Sequence, residues 1–334
     1  MTTRSEPIFD PLSFARRGPG QRTHLTPTQI AQIERTVGRT PEVMVKVLPK
    51  GTNSLQSVKN HVGYIGRRGK VELTSDDDET LQGKGVADQL IADWDLELDS
   101  LRGKSDLTAS SKKSSPKLVH KVLFSMPPGT DPAKVLAAAK NLCREEFGLK
   151  HRYAMALHTD EPHPHVHVLV KAMSEQGERL HIRKDTLRRW RLEFARQLRA
   201  LGVPANATQR YIRGVVSPRV LDGIYRANQR GYSSHVRARV DAVASELLKG
   251  GLRAESARRH LSETRDKLVG GWRAIAELLS AQKHTTLAAE VHRYIEKLPI
   301  PRTGKERVAA TLIGHIRTHG NREVAVTRTT EVVR

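Results

Sequence analysis

Four of the chain's 15 histidines and two carboxylates fall between His158 and His167, in the stretch HTDEPHPHVHVLVK. His165 and His167 alternate with Val166 and Val168, the period-two pattern of a strand, so both imidazoles leave the same face. His158 ends another strand-like run, RYAMALH, a short link earlier. Paired antiparallel through that link, the two strands bring His158 beside the other two. Three neutral imidazole nitrogens with open remaining positions describe a catalytic metal site rather than a closed structural one. Without a metal, three crowded imidazoles on a valine-rich strand carry a burial cost. Asp160 and Glu161 lie close enough to accept from a ring N–H and fix its tautomer, Asp160 being the better placed. His163, between two prolines of the link, is a candidate contact either to DNA or to the metal-ligating histidines. No chemical role is expected for His24, His61, His235 or His284.

A metal with three histidines can activate water and make the chain a hydrolase, and Tyr64 breaks that tie. It stands in NHVGYIGRRGK, with glycines on both sides and Arg67, Arg68 and Lys70 following. Small neighbours let a large ligand approach, and the cations can hold its phosphates. A phenol of pKa about 10 is a poor nucleophile unless an electropositive site favours the phenolate. A metal that polarises the scissile phosphate lowers the same barrier from the other side.

These residues need elements to position them. VMVKVL from Val43 reads as a strand. The helix after it places Leu55, Val58, Val62 and Ile65 at helical spacing, with Ser54 or Asn53 as cap and Tyr64 near its end. KLVHKVLFSMPPGT reads as strand and turn, followed by an amphipathic helix with Asp131 as N-cap and Pro132 at its first position. A further strand is expected at ERLHI, then a helix over KDTLRRWRLEFARQLRALG that stops at Gly202. The rest, to about residue 300, reads helical with arginine-rich faces. Between the first helix and the central strands lies a segment, 72–106, expected to hold one helix over VADQLIADWDLELDSL and to cover something basic. TASSKKSSPK follows as a turn-rich connector.

With 334 residues, 37% of them hydrophobic, the chain can bury one core of ordinary domain size plus appended elements. Its net charge of +21 makes a polyanion the default partner. The segments carry +2 for residues 1–42, +6 for 43–71, −8 for 72–106, +11 for 107–216 and +10 for 217–334. The single Cys143 excludes an internal disulfide and a cysteine-based zinc cluster. No run approaches transmembrane length, and MTTRSEPIFD lacks the apolar core of a signal peptide, so the expected location is the cytoplasm, without membrane insertion. Residues 1–42 are expected to form a flexible arm, with RRGPGQR mobile and a short helix capped by Thr26 over TPTQIAQIERTVG.

From about 43 to 213 the chain resembles the conjugative relaxases, or mobilisation nucleases, of the HUH endonuclease superfamily, in the branch that contains the T-DNA border endonuclease. HVGYIGRRGKVEL is similar to the family's first motif, VLFSMPPGT to its second and HTDEPHPHVHVLV to its third. WRLEFARQLRALGVPANATQR is similar to a helix and loop that follow the core in many members. The resemblance implies Tyr64 as strand-transfer nucleophile and Ser125 as a contact to DNA near the nick. It also implies His158, His165 and His167 as ligands of a divalent metal, Mg2+ or Mn2+, with Asp160 in support.

The fold implied is α+β, a central antiparallel sheet with flanking helices and a helical C-terminal region. The expected divisions are an arm at 1–42, a nuclease domain at 43–216 and a basic, mainly helical region at 217–334. The implied activity is nicking and strand transfer on single-stranded DNA at a transfer origin, in a bacterial cytoplasm, to mobilise a plasmid or integrative element. An accessory nicking protein and the secretion coupling machinery are the implied partners. A rolling-circle replication initiator and a non-catalytic DNA-binding accessory protein are the alternatives.

Overall fold

The computed structural model describes residues 9–14, 23–49, 52–108, 116–215, 227, 230–231, 233–253 and 255–331. The segment RRGPGQR and most of the TASSKKSSPK connector lie outside the described residues. The chain divides into two compact units, one of residues 1–8 and 38–207, the other of 9–37 and 208–334.

The first unit is built on a six-stranded, wholly antiparallel sheet. Its strands are β1 (Met44–Leu48), β2 (Leu73–Ser75), β3 (Thr80–Leu81), β4 (Val119–Ser125), β5 (Tyr153–His158) and β6 (His165–Lys171), in the order β1-β4-β6-β5-β2-β3. β6 is central and buried along its whole length. Alternation along it feeds two cores. Val166, Val168 and Val170 join Phe124, Phe147, Trp190 and Phe194 on one face, under the helices Pro132–Phe147 and Lys184–Ala200. Leu169, Ala154 and Ala156 join Val58, Val62, Ile65 and Trp94 on the other. A one-residue slip of β6 would exchange these faces and remove the histidines from theirs, so the valine face fixes the register. Phe194 meets Phe124 edge-on at 5.1 Å and is fully buried, and its truncation to alanine would cost roughly 3–5 kcal/mol.

In chain order the helices are α1 (Pro27–Val37), α2 (Leu55–Ile65), α3 (Val86–Asp93), α4 (Leu96–Thr108), α5 (Pro132–Phe147), α6 (Lys184–Ala200), α7 (Ser234–Leu248), α8 (Ser256–Ala281), α9 (Thr285–Glu296) and α10 (Gly304–Glu331). The expected caps are present. Ser54 Oγ accepts from the Ser57 N–H at 3.3 Å to start α2, and Asp131 accepts from the Ala133 N–H at 2.9 Å to start α5. Thr26 and Gln29 bond each other's backbone N–H at the head of α1.

Two expectations are corrected. The segment 72–106 is not a single helix but β2, β3, α3 and α4, because Asp95, at φ +50°, breaks the run after Trp94. It does cover basic residues: Asp76 and Asp93 hold Arg152 at 2.7 and 2.9 Å, and Asp78 holds Lys140 at 2.7 Å. ERLHI is not a strand either. Arg179 makes only an isolated bridge to Met173, and the Leu180 backbone instead bonds to Ala172 at 2.8 Å before the chain enters α6.

The second unit is helical and includes part of the expected N-terminal arm. Leu25 and Ile33 of the α1 region, with Phe9 and Phe14, join Leu268, Trp272, Ile275, Leu279 and Val291 in one core. Gly271 makes this possible: a Cβ there would stand 2.1 Å from the Pro11 carbonyl oxygen. Several arginines of this unit are tied up internally, Arg258 to Glu306 at 3.2 Å and Arg259 to Glu263 at 2.9 Å.

Candidate active site

The histidines of β5 and β6 meet at one end of the sheet. His158 and His165 are direct cross-strand partners, and His167 lies opposite Ala156 on the same face. Ring centroids stand 4.8 Å apart for His158 and His167, 5.2 Å for His158 and His165, and 5.3 Å for His165 and His167. One nitrogen from each lies within 4.8 Å of the others, the spacing of a shared metal ion. The fit is supported by His167, whose buried Nδ1 has no hydrogen-bond partner. Burial, followed by the charges of His158 and His165, pushes its pKa down to about 3, and burial lowers that of His158 as well. The His167 ring is therefore neutral, as a ligand must be.

Backbone carbonyls orient two of them. His165 Nδ1 donates to the His163 carbonyl at 3.1 Å, which leaves Nε2 as its lone-pair atom. His158 Nε2 stands 2.7 Å from the Ile65 carbonyl, and Arg67 Nη2 lies 3.2 Å from His158 Nδ1. A carbonyl only accepts and a guanidinium only donates, so His158 carries its proton on Nε2 and turns the Nδ1 lone pair toward Arg67.

Tyr64 closes the arrangement from α2. Its ring lies edge-on to His167 at 5.7 Å and to His158 at 6.3 Å, and the residue is 53% exposed. α2 reaches this position because Val58, Val62 and Ile65 bury its other face against the sheet. Beyond Gly66 the chain turns sharply: Arg67, Arg68 and Gly69 all have positive φ, +48°, +57° and +87°. That conformation costs on the order of 1–2 kcal/mol at each arginine, the local strain of turning the helix end back over the histidines. Arg67 then lies 5.0 Å over the Tyr64 ring and pairs with Asp160 at 2.5 Å. Arg67, Arg68 and Lys70 line one open groove of about 720 Å3 together with Tyr64 and Gly63.

The other expected residues take varied places. Asp160 reaches the histidines through Arg67, since carbonyls supply the ring hydrogen bonds. Ser125 is the cross-strand partner of His165 but only 1% exposed, its hydroxyl bonding the Met126 carbonyl at 3.4 Å. His163 borders the centre, 5.6 Å from His165, and Glu161 is exposed in the same link. His61, for which no role was expected, also stands at the centre. Its ring stacks on Tyr64, 6.0 Å between centroids at 19°, and meets His167 edge-on at 6.0 Å. Burial, then the charges of Lys121 and His158, push it down to about 4. The signal was present in the spacing, because residues three apart on a helix share a face.

An antiparallel sheet that gathers three imidazoles at one end beneath a helix-borne tyrosine agrees with the fold that the resemblance to relaxases implied. Residues 75–202 match the family described as Relaxase: MobA/VirD2-like, nuclease domain. That match contains the three histidines and Ser125, whereas Tyr64 and Arg67 precede it. The chain is also similar to the T-DNA border endonuclease VirD2 of Agrobacterium fabrum (strain C58), at 26% identity over 213 residues, 59% of this chain and 46% of that protein. It is 30% identical over 191 residues to VirD2 of Rhizobium radiobacter, 52% of this chain and 43% of that protein. The aligned part thus spans less than half of these relatives. Among the described residues no helix is long and apolar enough to cross a membrane.

Proposed function

We propose that this chain nicks single-stranded DNA at a transfer origin and holds the cut 5′ end covalently on Tyr64. The observation that carries the reading is the edge-on placement of the exposed Tyr64 ring at 5.7 Å from His167, against a centre of three converging imidazoles. The site residues would act as follows. The strand lies in the groove of Arg67, Arg68 and Lys70, which hold its phosphates, with His163 at the border and Ser125 supporting from the sheet. Tyr64 Oη attacks phosphorus, the bond to the 3′ oxygen breaks, and the phenol proton is balanced by the 3′-hydroxyl that leaves. The products are a free 3′-hydroxyl and a 5′-phosphotyrosyl ester. The ester keeps the energy of the broken bond, so the reverse attack reseals the strand.

His158, His165 and His167 would hold a divalent ion, which supplies charge stabilisation to the phosphoryl oxygens when bound. Imidazoles alone suit several metals, and Mg2+ or Mn2+ is proposed from the family. Arg67 places a fixed positive charge beside the phenol, and Asp160 orients Arg67. The nuclease domain would occupy residues 43–216, with the basic region 217–334 appended. The context would be mobilisation of a plasmid or integrative element in a bacterial cytoplasm, with an accessory nicking protein and secretion coupling machinery as partners.

The test is incubation with single-stranded DNA that spans a candidate transfer origin, read as a covalent protein–DNA adduct. Tyr64→Phe removes only the phenolic oxygen, so the adduct should vanish while DNA affinity and metal content persist. Adduct at the wild-type level would assign the chemistry to another tyrosine, such as Tyr153 or Tyr211.

A further inference from the structure

Beside the groove that holds Tyr64 lies a second cleft, of about 430 Å3, whose lining includes no histidine and not Tyr64. It opens on the other flank of α2, between that helix, the turn after it and the start of α3. Val62, Leu73 and Val86 give it an apolar floor. The floor is closed by an approach that only glycine permits: Gly69 lies at φ +87°, and a Cβ there would stand 2.7 Å from the Gly83 carbonyl carbon. At the mouth Lys59 and Asp88 form an ion pair at 2.5 Å, and Arg68 and Lys84 add two more cations. The cleft and the Tyr64 groove share Lys59, Gly63 and Arg68. Gly63 is the saddle between them, since a Cβ built there meets nothing within 4 Å.

A cleft with an apolar floor, rimmed by cations and one carboxylate and continuous with the Tyr64 groove, has the chemistry of a site for a partly polar ring attached to a phosphate. We propose that the cleft receives one nucleobase carrying an exocyclic amino group, from the nucleotide next to the phosphate held at Tyr64. This rests on the reading of the Tyr64 groove as the path of the DNA strand. The apolar floor takes the face of the base, Asp88 accepts from its amino group, and Lys59 and Arg68 hold the flanking phosphate. The cleft would then read one position of the nick site. A thymine places the O4 carbonyl where cytosine has its amino group and keeps only the N3–H, flanked by two carbonyls, as a donor, so it would be disfavoured at the Asp88 carboxylate.

The experiment is titration of the full chain with dCMP, dTMP and 2-deoxyribose 5-phosphate, beside the adduct assay on origin DNA. The expected result is dCMP tightest, by about fivefold or more over dTMP, with the sugar phosphate weakest. Gly63→Leu fills the saddle from open space and Asp88→Ala removes the acceptor at an exposed position. Either should bring dCMP down to the level of dTMP. Equal binding of dCMP and the sugar phosphate, or a preference unchanged in both variants, overturns the proposal. If the adduct forms without any base preference, the nicking reading stands and the cleft falls. If the preference is seen and no adduct forms, the cleft stands and the nicking reading falls.

Discussion

The Arg67 guanidinium stands 3.2 Å from the Nδ1 lone pair of His158, on the side where that ring would meet a cation. Asp160 holds it there, and the Tyr64 ring lies beneath it. A metal held by His158 through Nδ1 would therefore have to displace the guanidinium from that lone pair. Arg67→Ala should tighten metal binding, because a like charge leaves, and should slow adduct formation by roughly tenfold or more, because the charge beside the phenol is lost. Isothermal titration with Mn2+ and a single-turnover adduct assay separate the two effects. Metal affinity unchanged by Arg67→Ala would show that the guanidinium does not compete.

His61 offers its flat face to Tyr64 and has no place in the three-nitrogen cluster. Its removal in His61→Ala should leave oligonucleotide affinity near the wild-type level and lower the adduct rate by about tenfold, since a misplaced nucleophile loses rate rather than binding. His61→Phe keeps the stacked ring and should restore most of the rate. A wild-type rate in His61→Ala would remove the positioning role.

The proposed metal dependence rests on three imidazoles carried by two paired strands. His165→Ala or His167→Ala should cut bound divalent ion, read by elemental analysis of the dialysed protein, and abolish the adduct. Chelation of the wild type should imitate both. Full adduct formation after complete metal removal would make the centre structural.

His120, on β4, gives a pH dependence outside the centre. Its Nε2 bonds the Leu180 carbonyl at 3.0 Å, and burial, followed by the charge of Lys117, pushes its pKa down to about 4. The unfolded chain takes up the proton near 6.5. Above that both states are neutral and the residue contributes no pH dependence. Between about 6.5 and about 4 the unfolded state alone binds the proton, so stability falls with pH by up to about 1.4 kcal/mol per unit. Urea unfolding at pH 7 and pH 5 should show a shallower loss for His120→Gln than for the wild type. Parallel losses would mean that His120 is not the group responsible.

The sequence by itself determined what is local. The period-two alternation of Val166, His167 and Val168 already put the imidazoles on one face, because strand side chains alternate whatever the partner. The α2 pattern of Val58, Val62 and Ile65 already left Tyr64 turned away from the core, because helix geometry is fixed by backbone hydrogen bonds. The caps at Ser54 and Asp131 were legible for the same reason.

Other relations needed the tertiary fold. Which strand lies beside β6 on its far side, and hence that Ser125 is buried next to His165, depends on pairings between residues 40 apart in the chain. That His61 belongs to the centre depends on the distance between α2 and the sheet, which the packing of Ile65 and Trp94 sets. The break at Asp95 and the loss of a strand at ERLHI were hidden because neighbouring packing overrode local propensity. The left-handed turn at Arg67 and Arg68 was hidden most completely. No arginine prefers that conformation; the backbone bonds of Gly69 and Val71 to the Gly66 carbonyl and the contacts of Arg67 with Tyr64, His158 and Asp160 hold the turn there.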